Sequence, residues 1–161
     1  MKKNIIFDLG GVLFELDFKN SISRLLNSNE NDFQKLFQKW LFSPSIREFE
    51  SGKITYEDFF TNMTKEFDLN LSLEDFTKEF KNIVVGPFKE TEELLNTLKN
   101  KEHNIYLLSN ITSIHWDMIS SYDYINNNVT KPFLSYKIGV AKPEDEIFKH
   151  VLNEIDTNLD I

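Results

Sequence analysis

The chain predicts an α/β fold: a parallel sheet interrupted early by a helical insertion. Three observations carry that prediction. An apolar run, Asn4 to Leu13 (N-I-I-F-D-L-G-G-V-L), is broken by one carboxylate and then enters a paired-glycine turn. From Phe18 to Val85, apolar side chains recur at spacings of three and four, the mark of amphipathic helices. Beyond Val85, strand-like and helix-like stretches alternate, which implies parallel strands joined by right-handed crossovers.

The first element is a strand from Asn4 to Leu9. Asp8, straight after Ile5, Ile6 and Phe7, is costly to leave unpaired, so it must be solvated in a cleft, bonded to backbone amides or held beside a cation. Gly10 and Gly11 allow backbone conformations closed to other residues and let a ligand approach the main chain. A cleft at the carboxyl end of a strand is where open α/β sheets bind ligands.

Four helices are expected in the insertion, through Ile22, Leu25 and Leu26; Phe33, Leu36, Phe37 and Trp40; Phe59, Phe60, Met63 and Phe67; and Phe76, Phe80 and Ile83. Ser51-Gly52-Lys53 reads as a turn. Thr55 with Asp58, and Ser72 with Asp75, have the spacing of helix starts. The phenylalanines read mainly as core, Trp40 as a packing residue with facing the substrate as the alternative, and the four helices together as a lid able to close over the first loop.

In the last region Pro87 is expected to open a helix through Leu94, Leu95 and Leu98, with Glu90, Glu92 and Glu93 favouring its N-terminal end. A strand Asn104 to Leu108 follows, ending in Ser109-Asn110. Then come a helix from Ile114 to Ile119, a polar turn at Asn126 to Asn128, a strand from Phe133 to Tyr136, and a helix started by Lys142-Pro143. A parallel sheet would bring Asp8, Ser109-Asn110 and Lys142 to one edge. An attacking acid, a hydroxyl with nearby amides for an anionic oxygen, and a charge-neutralising lysine form a phosphoryl-transfer set. Taken singly, Ser109 reads as a helix cap and Lys142 as a solvated charge.

Composition narrows the class. The 161 residues are 40% hydrophobic and 27% charged, with no cysteine, as for a cytoplasmic protein without disulfide or thiol chemistry. A net charge of -8 argues against nucleic acid as a partner. No stretch approaches the roughly 20 apolar residues of a membrane span, so no membrane partner is expected. His103, His115 and His150 lack ligand spacing and read as surface or boundary residues.

In order, I-I-F-D-L-G-G-V-L, I-Y-L-L-S-N and G-V-A-K-P-E resemble the first three motifs of the haloacid-dehalogenase-like hydrolases. F-E-S-G-K-I-T-Y-E-D-F-F is similar to the sugar-phosphatase branch of that superfamily. The resemblance implies a Rossmann-like core from residues 1–17 plus 86–161, a helical cap at 18–85, and a sheet incomplete at the C-terminus. It also implies hydrolysis of a small phosphorylated metabolite, such as a sugar phosphate, through an aspartyl-phosphate. Asp8 would be the nucleophile. The Asp8 carboxylate and Gly10 carbonyl would ligate Mg2+. Ser109 and the Asn110 amide would hold phosphoryl oxygens, with Gly11 allowing their close approach, and Lys142 would position the nucleophile.

Two departures from the family pattern shape the expectation. The usual general acid two residues after the nucleophile is replaced by Gly10. Its loss slows alkyl phosphates most and anomeric sugar phosphates less. Glu15 and Asp17 are nearby acids but read as solvated loop residues. The fourth motif, an acidic pair completing the magnesium site, is expected just past Asp160, and the sequence stops at Ile161. The chain is therefore expected to be a fragment of a longer phosphatase, or a truncated form that covers the edge left at Lys3 to Leu9 by self-association. Its magnesium site should be weak and its turnover slow. A non-catalytic binding protein and a metal-independent 2-haloacid dehalogenase are the competing classes.

Overall fold

In the computed structural model, which describes residues 2–27 and 33–155, three parallel strands form the sheet in the order β1-β4-β5. They are β1 (Asn4–Phe7), β4 (Asn104–Ser109) and β5 (Lys131–Leu134), with Phe7 level with Leu107 and Ser109 level with Leu134. The α/β fold is therefore as expected. Parallel strands covered on both faces are apolar throughout, and β4 shows why. Ile105 and Leu107 point into a cluster with Leu95, Ile119 and Ile125, whereas Tyr106 and Leu108 meet Phe133, Ile147 and Val151 on the other face. Among the described residues β1 pairs on one side only, and Ile6 stays 43% exposed.

Between β1 and β4 the chain forms a second layer. A short strand, β2 (Phe14–Leu16), leads into α1 (Phe18–Leu25), α2 (Phe33–Leu41), α3 (Pro44–Glu50), α4 (Tyr56–Phe67) and α5 (Leu73–Lys81). The chain returns through β3 (Val84–Pro87), which pairs antiparallel with β2. This ribbon clasps the two ends of the helical layer, and Asp17 N–H on Ile83 O at 2.9 Å continues the clasp. Thr55 and Ser72 cap α4 and α5 as expected, each accepting from the amide three residues on. The helices bury Ile22, Trp40, Phe49, Phe59, Met63, Phe76 and Phe80 in their own core. Phe49 and Phe59 stack at 4.4 Å between centroids, an arrangement worth about 0.5–1.5 kcal/mol beyond area burial.

The remaining elements are α6 (Thr91–Asn100), α7 (Ser113–Ile119), α8 (Asp123–Asn128), α9 (Ser135–Ile138) and α10 (Asp145–Glu154). Several boundaries differ from the sequence expectation. The insertion holds α3 in addition to the four expected helices. Ser43 caps it and Pro44 starts it, but only Ile46 and Phe49 mark its apolar face, too few to show a period. β2 and β3 were not anticipated either, since each is short and defined by its partner. β1 stops at Phe7 rather than Leu9, because Leu9 O turns inward to accept from the amides of Val12, Leu13 and Phe14.

Pro87 ends β3 instead of opening a helix, a place where its missing N–H is tolerated, and α6 starts at Thr91. Asn126 to Asn128 are helical rather than a turn. The Asn128 side-chain amide donates to Asn96 Oδ1 on α6 at 2.7 Å, and that of Asn126 to Ser120 O at 2.8 Å, so side-chain bonds, one of them tertiary, override weak propensity. The last strand ends at Leu134, because buried Ser135 turns away to bond other segments. The last helix begins at Asp145, not at Lys142-Pro143. The site explains that delay.

Candidate active site

The sheet delivers Asp8 one residue past β1 and Ser109-Asn110 at the end of β4, with Lys142 in the loop before α10. Lys142 Nζ donates to Asp8 Oδ2 at 2.6 Å and to Leu108 O at 3.1 Å. Asp8 Oδ1 accepts the Leu9 amide at 2.8 Å. Of the three ways to satisfy this carboxylate, the fold combines all: an amide, a cation and an open mouth, with the side chain 42% exposed.

Asn110 is the organiser of the lysine loop. Its Nδ2 donates to Lys142 O at 2.8 Å, and its Oδ1 accepts Lys142 N–H at 2.7 Å. With both of its backbone polar groups held by one carboxamide, Lys142 cannot begin a helix. Ser109 is buried in β4 and caps nothing; Thr112 caps α7 by accepting His115 N–H. Gly11 has φ +74°, open to glycine without strain, and its amide is taken by Phe14 O at 2.8 Å. A Cβ on Gly10 would lie 2.7 Å from Leu16 Cδ1.

Beside the Asp8–Lys142 pair lies a cleft that the helical layer helps to line. Gly10, Ser109 and Asn110 form its floor; Trp40, Phe49 and Phe80 are among the residues that roof it. Every lining residue from the helical layer is apolar except Glu50. His115, expected at a surface or boundary, is buried in the cleft wall. Its Nε2 must donate to Phe80 O, 2.8 Å away, which leaves Nδ1 to accept the Thr112 hydroxyl at 3.2 Å. Burial pushes its pKa down to about 4, so the ring is neutral. His103 is half-buried and His150 exposed, as expected.

Glu50 carries little signal in the sequence: it is the second residue of F-E-S-G-K, where it resembles any solvated helix-end acid. Burial holds its carboxyl up at about 7, partly offset by the Lys142 charge. Asp17, by contrast, caps α1: Asn20 N–H and Nδ2 both donate to it, which lowers its pKa. Glu15 lies exposed on β2. Among the described residues no three His, Asp or Glu side chains gather as a metal cluster, and no helix is long and apolar enough to cross a membrane. The acidic pair expected beyond Asp160 lies outside the described residues.

No family model matches the chain. Individual proteins do. The D-ribitol-5-phosphate phosphatase of Bacteroides thetaiotaomicron is 26% identical over 164 residues, covering 96% of this chain and 77% of its own. The sesquiterpene phosphatase astK of Aspergillus oryzae is 28% identical over 163 residues, covering 97% and 76%. The magnesium complex of a HAD family enzyme from Bacteroides thetaiotaomicron superposes with a TM-score of 0.79 at 30% identity, covering 95% of this chain and 77% of that one. With the Asp8–Lys142 pair at the carboxyl edge of a parallel sheet and a relative of that similarity, the chain belongs to the haloacid-dehalogenase-like hydrolase superfamily.

Proposed function

We propose that the chain is a magnesium-dependent phosphomonoester hydrolase that works through a phosphoryl group carried on Asp8. The observation that carries this reading is the 2.6 Å contact of Lys142 Nζ with Asp8 Oδ2, next to a cleft lined by Gly10, Ser109 and Asn110, the last of which holds Lys142 by its backbone. A carboxylate so held is fixed in orientation, and its side chain remains 42% exposed. The phosphatase activity of the two curated relatives and the magnesium bound by the structural relative support the same reading.

The residues present suit magnesium, because the donors at hand are hard oxygens: the Asp8 carboxylate and the Gly10 carbonyl. Magnesium is commonly held by one or two carboxylates, waters and substrate phosphate. When bound, magnesium supplies neutralisation of phosphate charge.

Asp8 attacks phosphorus in line, and the bond to the leaving oxygen breaks. The Ser109 hydroxyl and the Asn110 amide donate to the phosphoryl oxygens as their charge builds. Lys142 offsets the negative charge of the carboxylate and phosphate brought together. Gly11 shapes the loop under the phosphate and leaves room for its approach. Water then attacks phosphorus and releases Asp8.

The organic group of the substrate would lie in the cleft, under the helical layer of residues 18–85. The apolar lining favours phosphates with few hydroxyls, and sugar phosphates are the competing class. The test is phosphate release from a panel of both, with and without magnesium, by the wild type and by Asp8→Asn. Magnesium-dependent turnover lost in Asp8→Asn is the expected result; turnover that survives Asp8→Asn would overturn the reading.

A further inference from the structure

The site described has no proton donor for the leaving alcohol at position 10, and a side chain there would crowd Leu16. Nearby candidates fail for stated reasons. Glu15 lies exposed on the ribbon, and Asp17 is committed to Asn20. His115 has both ring nitrogens engaged, with its single proton on Phe80 O. One carboxyl group remains in the cleft.

We propose that Glu50, from the helical layer, is the general acid that protonates the leaving oxygen and the base that later takes a proton from the attacking water. This rests on the phosphatase reading above. Glu50 lines the cleft with Gly10, Ser109 and Asn110, and it lies close enough to Lys142, the partner of Asp8, to feel its charge. Among the described residues its carboxyl group has no hydrogen bond or ion pair, so its proton is free to be donated to a ligand. The cleft it lines is walled by Trp40, Phe49, Phe59 and Phe80 among others, an apolar setting that favours the neutral acid. A group poised near neutrality serves best in both directions.

The backbone beneath Glu50 is fixed against the sheet layer. Ser135 Oγ donates to Glu50 O at 2.6 Å and accepts Ile111 N–H at 3.0 Å, linking the end of α3 to the loop after β4. Two residues on, Gly52 (φ +63°) passes so close to Tyr136 O that a Cβ there would lie at 2.1 Å. Arg47 on α3 reaches Glu144, two residues past Lys142, at 3.4 Å. The F-E-S-G-K segment is therefore the joint at which the helical layer meets the sheet layer and places a carboxyl group in the cleft.

The proton balance closes. As Asp8 forms its bond to phosphorus, the electron pair of the breaking bond goes to the leaving oxygen, which takes the Glu50 proton and departs as an alcohol. Water then attacks the phosphoryl group and gives a proton to the Glu50 carboxylate. The Asp8–phosphorus bond breaks, and phosphate leaves with Glu50 protonated again.

The test uses the magnesium-loaded chain, a simple alkyl phosphate and 4-nitrophenyl phosphate, whose leaving group needs no proton. Glu50→Gln should lower alkyl phosphate turnover by about 10²-fold or more. First-turnover release of nitrophenolate should stay within about threefold of wild type, with only later turnovers slowed. Glu50→Asp should fall between. An equal first-turnover loss on both substrates, or no loss on the alkyl phosphate, would overturn the proposal. Should the variants not fold, the wild type decides: a shallow dependence of the first step on leaving-group pKa supports a proton donor, and a steep one refutes it. No magnesium-dependent turnover by wild type would overturn the phosphatase reading itself, whereas an active wild type with the wrong Glu50 response overturns this inference alone.

Discussion

Asn110 holds Lys142 by both sides of its backbone, donating from Nδ2 to its carbonyl at 2.8 Å and accepting its amide on Oδ1 at 2.7 Å. The lysine that meets Asp8 thus owes its position to a side chain on the neighbouring strand end. A single residue couples the floor of the cleft to the loop that supplies its cation.

Asn110→Ala should therefore act on turnover more than on binding. Releasing the loop lets the ammonium drift from Asp8, and a misplacement of about 1 Å can lower rate about 10²-fold. Steady-state kinetics should show that loss in kcat, with KM changed little. A KM effect of the same size with kcat intact would show that Asn110 serves mainly to hold substrate.

His115 ties α7 to α5 through Phe80 O at 2.8 Å and is held neutral, its pKa pushed down to about 4. The free histidine titrates near 6.5, so the unfolded chain takes up a proton that the folded one refuses. This contribution is whole above pH 6.5 and is lost as pH falls towards 4. At about 1.4 kcal/mol per pH unit, the loss is on the order of 3 kcal/mol. Denaturant melts across that window should show a flatter pH dependence in His115→Gln than in wild type.

The sign reverses for Glu50. Its folded pKa, raised to about 7 from 4.5, makes its contribution complete below pH 4.5 and lost as pH rises through 7. Glu50→Gln removes an ionisable group that the fold keeps in an apolar cleft. Relative to wild type it should gain stability at pH 8, on the order of 2 kcal/mol, and change little at pH 4.5. Thermal melts at the two pH values check this; an equal shift at both would assign the effect to packing.

Gly52→Ala tests the joint between the two layers. Positive φ and a Cβ at 2.1 Å from Tyr136 O leave no room without backbone movement, and overpacking of this kind costs about 1–3 kcal/mol. Urea titration should record that loss. The same substitution should reduce alkyl phosphate turnover, because the strain falls on the segment that carries Glu50.

Local chemistry made much of this protein readable in advance. The apolar run ending in Asp8, the S-N at the end of β4 and the K-P before α10 are short patterns tied to strand ends, and a parallel sheet has few ways to arrange them. Thr55 and Ser72 were legible as caps because the bond that makes a cap spans three residues. What the chain alone could not reveal depends on residues distant in sequence. β2 and β3 exist through each other, and α8 is pinned where the Asn128 amide finds Asn96 Oδ1, 32 residues away. His115 became an internal pin only when Phe80, 35 residues away, supplied an acceptor. Glu50 looks like any helix-end acid until apolar side chains from several helices strip its water and Ser135 fixes its backbone. Residue type and spacing determine which groups can do chemistry; tertiary packing alone decides which of them lose solvent and meet, since desolvation and contact belong to the folded chain.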